Sequence, residues 1–365
     1  MSQSFVFIGT SRAGMALAER LLNAGFLNAP SMESADVIFT LCTNQSALED
    51  VYFESGGIIS NARPGAYVVD LSPTTPSFAR EFSALALVND LHPVEAPLFV
   101  RDCLLPRAFS ESENLVLLTA GEQADINAVS CMLEVLAEQV NYCGGAGSAQ
   151  ALKASLSMQQ AVGLLALAES RALLESSLST SDVAKLTSFS LEENLIPDQL
   201  FGLSHTLDQE CYEGEFEYTL EILLAELEAA LSSVDDAGLN APVAEAAQYL
   251  VQLLAMVGAI DKPVSIARLA YASDEAGKAH GLDWSRIQEH CSDSHCSECD
   301  DDSEDYFDDF DDENFEYEQL CECGHHHAHH GHHHGHDDDC SCAQDYKQGF
   351  DLDYPSDYFG DWPEN

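Results

Sequence analysis

Phe5-Val-Phe-Ile8 runs apolar into Gly9, and after Gly14 a helical pattern begins with Leu17, Leu21 and Leu22 in register. A short apolar run ending at glycine, followed by a helical period, reads as a buried strand, a tight turn and a helix. No other stretch constrains the chain as much. The first N–H groups of such a helix have no intrahelical acceptor and carry the positive end of its dipole, so they suit a dinucleotide pyrophosphate. The common fingerprint is G-x-G-x-x-G, whose middle glycine lets the backbone approach the phosphates. Here Gly9 and Gly14 hold the outer positions and Ser11 the middle one. The serine Cβ takes up space there, while its hydroxyl is able to bond a phosphate oxygen. Gly9, Ser11, Arg12, Ala13 and Gly14 are the candidate cofactor residues. A turn of the same kind without a ligand fits the residues about as well.

Further on, Asp36–Cys42, Gly65–Ser72 and Leu115–Thr119 are strand-like, with Ser46–Tyr52 and Val129–Gln139 helical. Alternating strands and helices imply an α/β fold with a parallel, doubly wound sheet. From Ser148 onward long helical runs take over, namely Ala149–Glu175, Phe216–Leu231 and Pro242–Val257. After His290 the apolar periodicity stops. The expected organisation is a Rossmann-like domain over residues 1–146, an all-α domain over 147–290 and a disordered tail over 291–365.

The formal charge of -49 is not confined to the tail, since residues 1–290 hold 13 Lys+Arg against 39 Asp+Glu. Such a surface excludes nucleic acid and anionic membranes as partners, because phosphate binding needs basic residues. No run reaches the roughly 18 apolar residues of a membrane helix. The start also lacks the basic-then-apolar pattern of a signal peptide. A cytoplasmic protein is expected. In that compartment clustered cysteines favour metal over disulfides.

Of the 12 cysteines, seven lie beyond residue 290, interleaved with histidine. His290-Cys291 and His295-Cys296 precede Cys299; Cys321 and Cys323 precede a tract of nine histidines, His325, His326, His327, His329, His330, His332, His333, His334 and His336; Cys340 and Cys342 follow. Imidazole and thiolate suit borderline or soft divalent ions, with nickel or zinc foremost. The spacing is not that of one structural zinc site. Many overlapping ligand sets suggest several ions held in exchange, for storage or delivery to a metal-receiving protein. An expression tag is the plain alternative, but Ala328, Gly331 and Gly335 interrupt the tract. The acidic-aromatic pieces Asp305–Phe310 and Asp353–Trp362 read either as docking segments for a partner or as segments that fold back on the body.

The order of motifs resembles the β-hydroxyacid dehydrogenase family. Ile8-Gly-Thr-Ser-Arg-Ala-Gly-Met-Ala-Leu-Ala18 with Leu21-Leu-Asn-Ala-Gly25 is similar to its opening I-G-L-G-x-M-G-x-x-M-A…L-L-x-A-G. Ala35–Asn44 resembles A-D-V-V-I-T-M-L-P-D, and Arg63–Ser72 the strand leading to D-x-S-T. Glu95–Arg101 falls at D-A-P-V-S-G-G, Gly147–Lys153 at G-S-G-Q-A-x-K, and Gly238–Pro242 at G-V-P-x-P. The resemblance spans about residues 4–290. It implies NAD(P) as cofactor, a small 3-hydroxy acid as substrate and a homodimer formed through the helical part. It makes Lys153 the catalytic acid/base and Ser72 a substrate contact, although a serine in such a loop is more often a helix cap or turn residue.

Departures from the pattern cluster on both sides of the site. Ser157 stands where the family has asparagine, and Phe99-Val100-Arg101 where it has S-G-G, leaving Arg101 to pair with a substrate anion. Ala225 stands where L-K-D-L has lysine, with Glu226 in the acid position. Between Gly25 and Ala35 there are only nine residues, so Asn28-Ala-Pro30 reads as a turn and two edge strands are expected to be missing. Two readings follow. In one, the chain is a divergent relative with weak or absent dehydrogenase activity and a metal-binding tail. In the other, it is an active NAD(P)-dependent oxidoreductase using Lys153. The number of departures favours the first.

Overall fold

The computed structural model describes residues 3–9, 11–177 and 215–287. The chain divides after Asp293, and the unit Met1–Asp293 holds all the elements that follow.

The opening folds as its pattern dictates: strand β1 (Ser4–Ile8), a turn, and helix α1 (Arg12–Asn23) with Leu17 and Leu21 buried. A two-residue strand β2 (Leu27–Asn28) then pairs parallel with Ser4 and Phe5. This corrects the reading of Asn28–Pro30 as a turn. Ala29 N–H donates to the Phe5 carbonyl at 2.7 Å, so the short connection still finds the sheet edge. Strand β3 (Val37–Thr40), helix α2 (Gln45–Phe53), the short helix α3 (Ile58–Asn61) and strand β4 (Tyr67–Asp70) follow. Next come helix α4 (Pro76–Val88) and strands β5 (His92–Glu95), β6 (Leu98–Val100) and β7 (Leu115–Gly121). Helix α5 (Gln123–Leu136) and strand β8 (Gln139–Gly144) complete the α/β part.

The sheet order is β2-β1-β3-β4-β5-β7-β6, with β8 also on β7. It is parallel from β2 to β5, but β7 runs antiparallel to both β5 and β6. The expected all-parallel sheet is therefore mixed. The reason is local: only Ala96-Pro97 separates β5 from β6, and the chain returns from Val100 to Leu115 without a helical crossover. Fully buried Val37, Ile38, Phe39, Val68 and Val69 fill the middle strands, which are covered on both faces.

Helix α6 (Ser148–Ser177) is 30 residues long, or about 45 Å at the α-helical rise. Helix α7 (Leu220–Asp236) packs along it with Leu220, Leu223, Glu226, Leu227, Ala230 and Leu231 buried at helical spacing. This helix starts four residues later than Phe216. Glu217 N–H donates to the Pro106 carbonyl at 3.0 Å, and its carboxylate takes the Phe109 N–H at 2.8 Å, which ties that stretch to the 106–109 loop ahead of the helix. Helix α8 (Pro242–Leu254) closes the bundle.

Candidate active site

Three parts of the fold meet at the site: the β1–α1 turn, the C-terminal ends of β3 and β4, and the α6–α7 pair. In the turn Gly9 has φ +152°, and a Cβ there would lie 2.5 Å from the Leu41 carbonyl oxygen. A Cβ on Gly14 would lie 2.8 Å from the Gly9 oxygen. Both glycines are demanded by close backbone approach. Ser11 occupies the N-cap of α1, its hydroxyl accepting from Gly14 N–H at 3.1 Å. That leaves the Arg12 and Ala13 amides at the helix opening without intrahelical acceptors. A pyrophosphate fits this donor set. The adenosine side is sparer, because the stub β2 ends on an exposed asparagine where a ribose-binding acid or a phosphate-binding arginine usually stands.

A cavity of about 550 Å³ opens beside the turn, with Arg12, Thr43, Glu221 and Lys262 in its walls. A second, of about 40 Å³, shares Ser11, Thr43 and Ile222 with it and reaches Ala225 and Glu226 past Leu41 and Leu71. The first has the size of a small-molecule site, about 300–1,000 Å³. The second does not admit a nicotinamide until its walls part.

Helical spacing puts Lys153, Ser157 and Gln160 on the buried face of α6, and Glu226 projects toward them from α7. Lys153 Nζ lies 2.6 Å from Glu226 Oε1, the side chains being 3% and 5% exposed. Ser157 donates its hydroxyl to Glu226 Oε2 at 2.9 Å. The Phe99 ring lies 5.4 Å from Nζ. Desolvation pulls Lys153 below the ordinary lysine value, and the Glu226 charge opposes that shift. Cys103 and Tyr218 are buried in the same electrostatic surroundings, and burial raises both of them.

The other residues singled out from sequence are held by the scaffold. Ser72 Oγ accepts from Cys42 N–H at 2.9 Å, while its carbonyl accepts from Gln150 Nε2 at 2.8 Å; the residue ties the ends of β3 and β4 to α6. Phe99 and Val100 belong to strand β6, and Arg101 N–H donates to the Asn114 carbonyl at 2.9 Å. The Val100 carbonyl accepts from Gln160 Nε2 at 2.8 Å. Arg101 itself is exposed. The sequence marks Glu226 and Glu95 only as motif positions, without a role; the Glu95 carboxylate accepts from the Gly147 and Gln150 N–H groups, both at 2.6 Å, at the start of α6. Both stand at acid positions of the quoted motifs, which was the signal available.

The tail ligands from His290 to Cys342 lie outside the described residues. Among the described residues no group of three or more His, Cys, Asp or Glu is placed to hold a metal ion. Among them, too, no helix is long and apolar enough to cross a membrane.

Residues 27–145 match the model for the NAD binding domain of 6-phosphogluconate dehydrogenase. The chain is 32% identical over 145 residues to the uncharacterized oxidoreductase YkwC of Bacillus subtilis, covering 40% of this chain and 49% of that protein. It is 25% identical over 196 residues to the mitochondrial 3-hydroxyisobutyrate dehydrogenase of Mus musculus, covering 52% and 56%. The chain thus spans about half the length of these curated relatives. The fold is similar to that of Mycobacterium tuberculosis 3-hydroxyisobutyrate dehydrogenase solved with L-serine, with a TM-score of 0.60, 20% identity, and coverage of 75% of this chain and 100% of that one.

Proposed function

We propose that the chain is a member of the β-hydroxyacid dehydrogenase family and an NAD(P)-dependent oxidoreductase, a reading supported by the match of residues 27–145 and by the 3-hydroxyisobutyrate dehydrogenases it resembles. Its reaction would interconvert a small hydroxy compound and the matching carbonyl, with 3-hydroxy acids the first substrates to test. One observation carries this reading: Lys153 is buried against Glu226, and Glu226 lines the narrow cavity beside the β1–α1 turn.

Arg12 and Ala13 amides would hold the pyrophosphate, and bound NAD(P) would supply the hydride acceptor. Lys153 Nζ, as the amine, takes the proton of the substrate hydroxyl, and in the reverse direction the ammonium returns it to the carbonyl oxygen. Glu226 balances the ammonium charge and Ser157 fixes the carboxylate. Leu41, Leu71, Leu98 and Phe109 keep water from the reacting atoms.

Fluorescence titration of NADH and NADPH into the full chain, followed by turnover assays, tests the reading. Lys153→Ala is expected to lower kcat by about 10²–10⁴ while leaving the cofactor Kd unchanged. Absence of binding at millimolar cofactor would sink it.

The tract His325–His336 with its flanking cysteines favours a second property, binding of nickel or zinc by the tail for storage or delivery to a receiving protein. In its stronger form, with dehydrogenase activity weak or absent, that reading rests on Ser157, Ala225 and Phe99-Val100-Arg101. Turnover separates the two. The family resemblance also supports a homodimer.

A further inference from the structure

Resting on the oxidoreductase reading, we propose that Glu226 is a specificity-determining residue: by pairing with Lys153 it makes the reaction site electrically neutral and selects an uncharged alcohol or carbonyl compound over a hydroxy acid. The ammonium of Lys153 faces Glu226 Oε1 at 2.6 Å, and Ser157 holds the other carboxylate oxygen at 2.9 Å. The one cation at the inner end is thereby spoken for. Around the narrow cavity the described walls are apolar apart from Ser11, Cys42, Thr43 and Glu226.

The anion-binding features at the start of α6 and along β6 are occupied as well. The opening of α6, a natural carboxylate site, already holds the Glu95 carboxylate through the Gly147 and Gln150 N–H groups. The strand at Phe99–Arg101 spends its backbone on the sheet, with Arg101 N–H on Asn114 and the Val100 carbonyl on Gln160. Gln150 gives its side-chain amide to the Ser72 carbonyl. Arg101 is exposed, and Ala225 lines the cavity with a methyl group. A carboxylate brought into the narrow cavity would be desolvated beside Glu226 with no cation among the residues lining it, since Arg12 and Lys262 stand in the walls of the larger neighbouring cavity; that is costly. A neutral substrate avoids that cost and still meets Lys153 Nζ. In the oxidative direction the Lys153 ammonium first releases its proton to solvent; the substrate C–H then gives a hydride to bound NAD(P)⁺ and its O–H gives a proton to the Lys153 amine, restoring the pair. The products are the carbonyl compound, NAD(P)H and the ammonium, which Glu226 neutralises.

The test uses one matched pair on the full chain: 3-hydroxy-2-methylpropanoic acid and its methyl ester, each with NAD⁺ and NADP⁺. The ester is expected to exceed the acid in kcat/KM by about tenfold or more, since a carboxylate left unpaired costs more than about 1.4 kcal/mol. Glu226→Gln keeps the shape, frees the Lys153 charge and is expected to move the ratio toward the acid; Ala225→Lys, at the rim, should do the same without touching the pair. A wild-type preference for the acid overturns the proposal, as does a ratio that neither variant changes. Should neither compound turn over, the oxidoreductase reading fails. Ligand-observed NMR on the same samples then decides the neutral-site claim: binding of the ester alone sustains it, and binding of the acid overturns it.

Discussion

Lys153 and Glu226 illustrate how a single contact constrains both stability and chemistry. Two charged side chains, 3% and 5% exposed, give up hydration that their mutual attraction only partly restores. Removing one leaves the other uncompensated, so Glu226→Ala is expected to cost about 3–5 kcal/mol. The double variant Lys153→Met with Glu226→Leu replaces the pair by apolar groups and is expected to recover most of that loss while abolishing turnover. Urea denaturation of both variants measures the difference. A double variant as unstable as the single one would mean that the pair is kept for folding and not for reaction. Ser11 teaches a second lesson at this scale. The residue that looks like a defect in a phosphate fingerprint is the N-cap of the helix, so its hydroxyl stabilises α1 while the first two amides stay free.

Between β3 and β4 the structure hides a polar network. The Thr40 hydroxyl donates to Asp70 Oδ1 at 2.9 Å and lies 2.8 Å from the Tyr52 hydroxyl. Burial pushes Asp70 up to about 6, against hydrogen bonds from Ser72 and Thr40 that favour the carboxylate. The folded-state value therefore lies above that of the unfolded chain, about 3.9. Between these values the folded form holds the extra proton, so this group's contribution is greatest below about pH 4 and is lost as pH rises through about 6. The expected loss over the whole window is about 3 kcal/mol. Asp70→Asn should flatten this part of the stability profile, which chemical denaturation at pH 4.5 and 7 will register (roughly the two sides of the transition). An unchanged slope would place the acid's titration elsewhere. The β1–β2 pairing belongs to the same scale: two residues suffice to close the sheet edge, but they present no acid or arginine to an adenosine ribose.

At the scale of the molecule, the division after Asp293 separates the dehydrogenase-like body from a tract with metal-ligand chemistry. A variant lacking residues 294–365 is expected to keep NADPH binding and to lose most nickel and zinc uptake in equilibrium dialysis. Equal uptake by both forms would remove the metal reading of the tail. Much of the body was legible in the sequence. The β1–α1 junction, the buried strands at Val37–Thr40 and Tyr67–Asp70, and the long α6 follow from local periodicity, which nearest neighbours along the chain are enough to fix. Lys153 was visible because its motif is local as well. What the sequence left open are the contacts that join distant segments. The antiparallel insertion of β7, the stub pairing of β2 and the non-helical Phe216–Thr219 depend on partners many residues away. Glu226 reads in one dimension as an ordinary helix carboxylate; only the packing of α7 on α6 brings it to Lys153. The order of elements is thus a property of the sequence. The charge state of the site is a property of the tertiary structure, because it arises where two helices, 69 residues apart at Ser157 and Glu226, exclude water from the same few atoms.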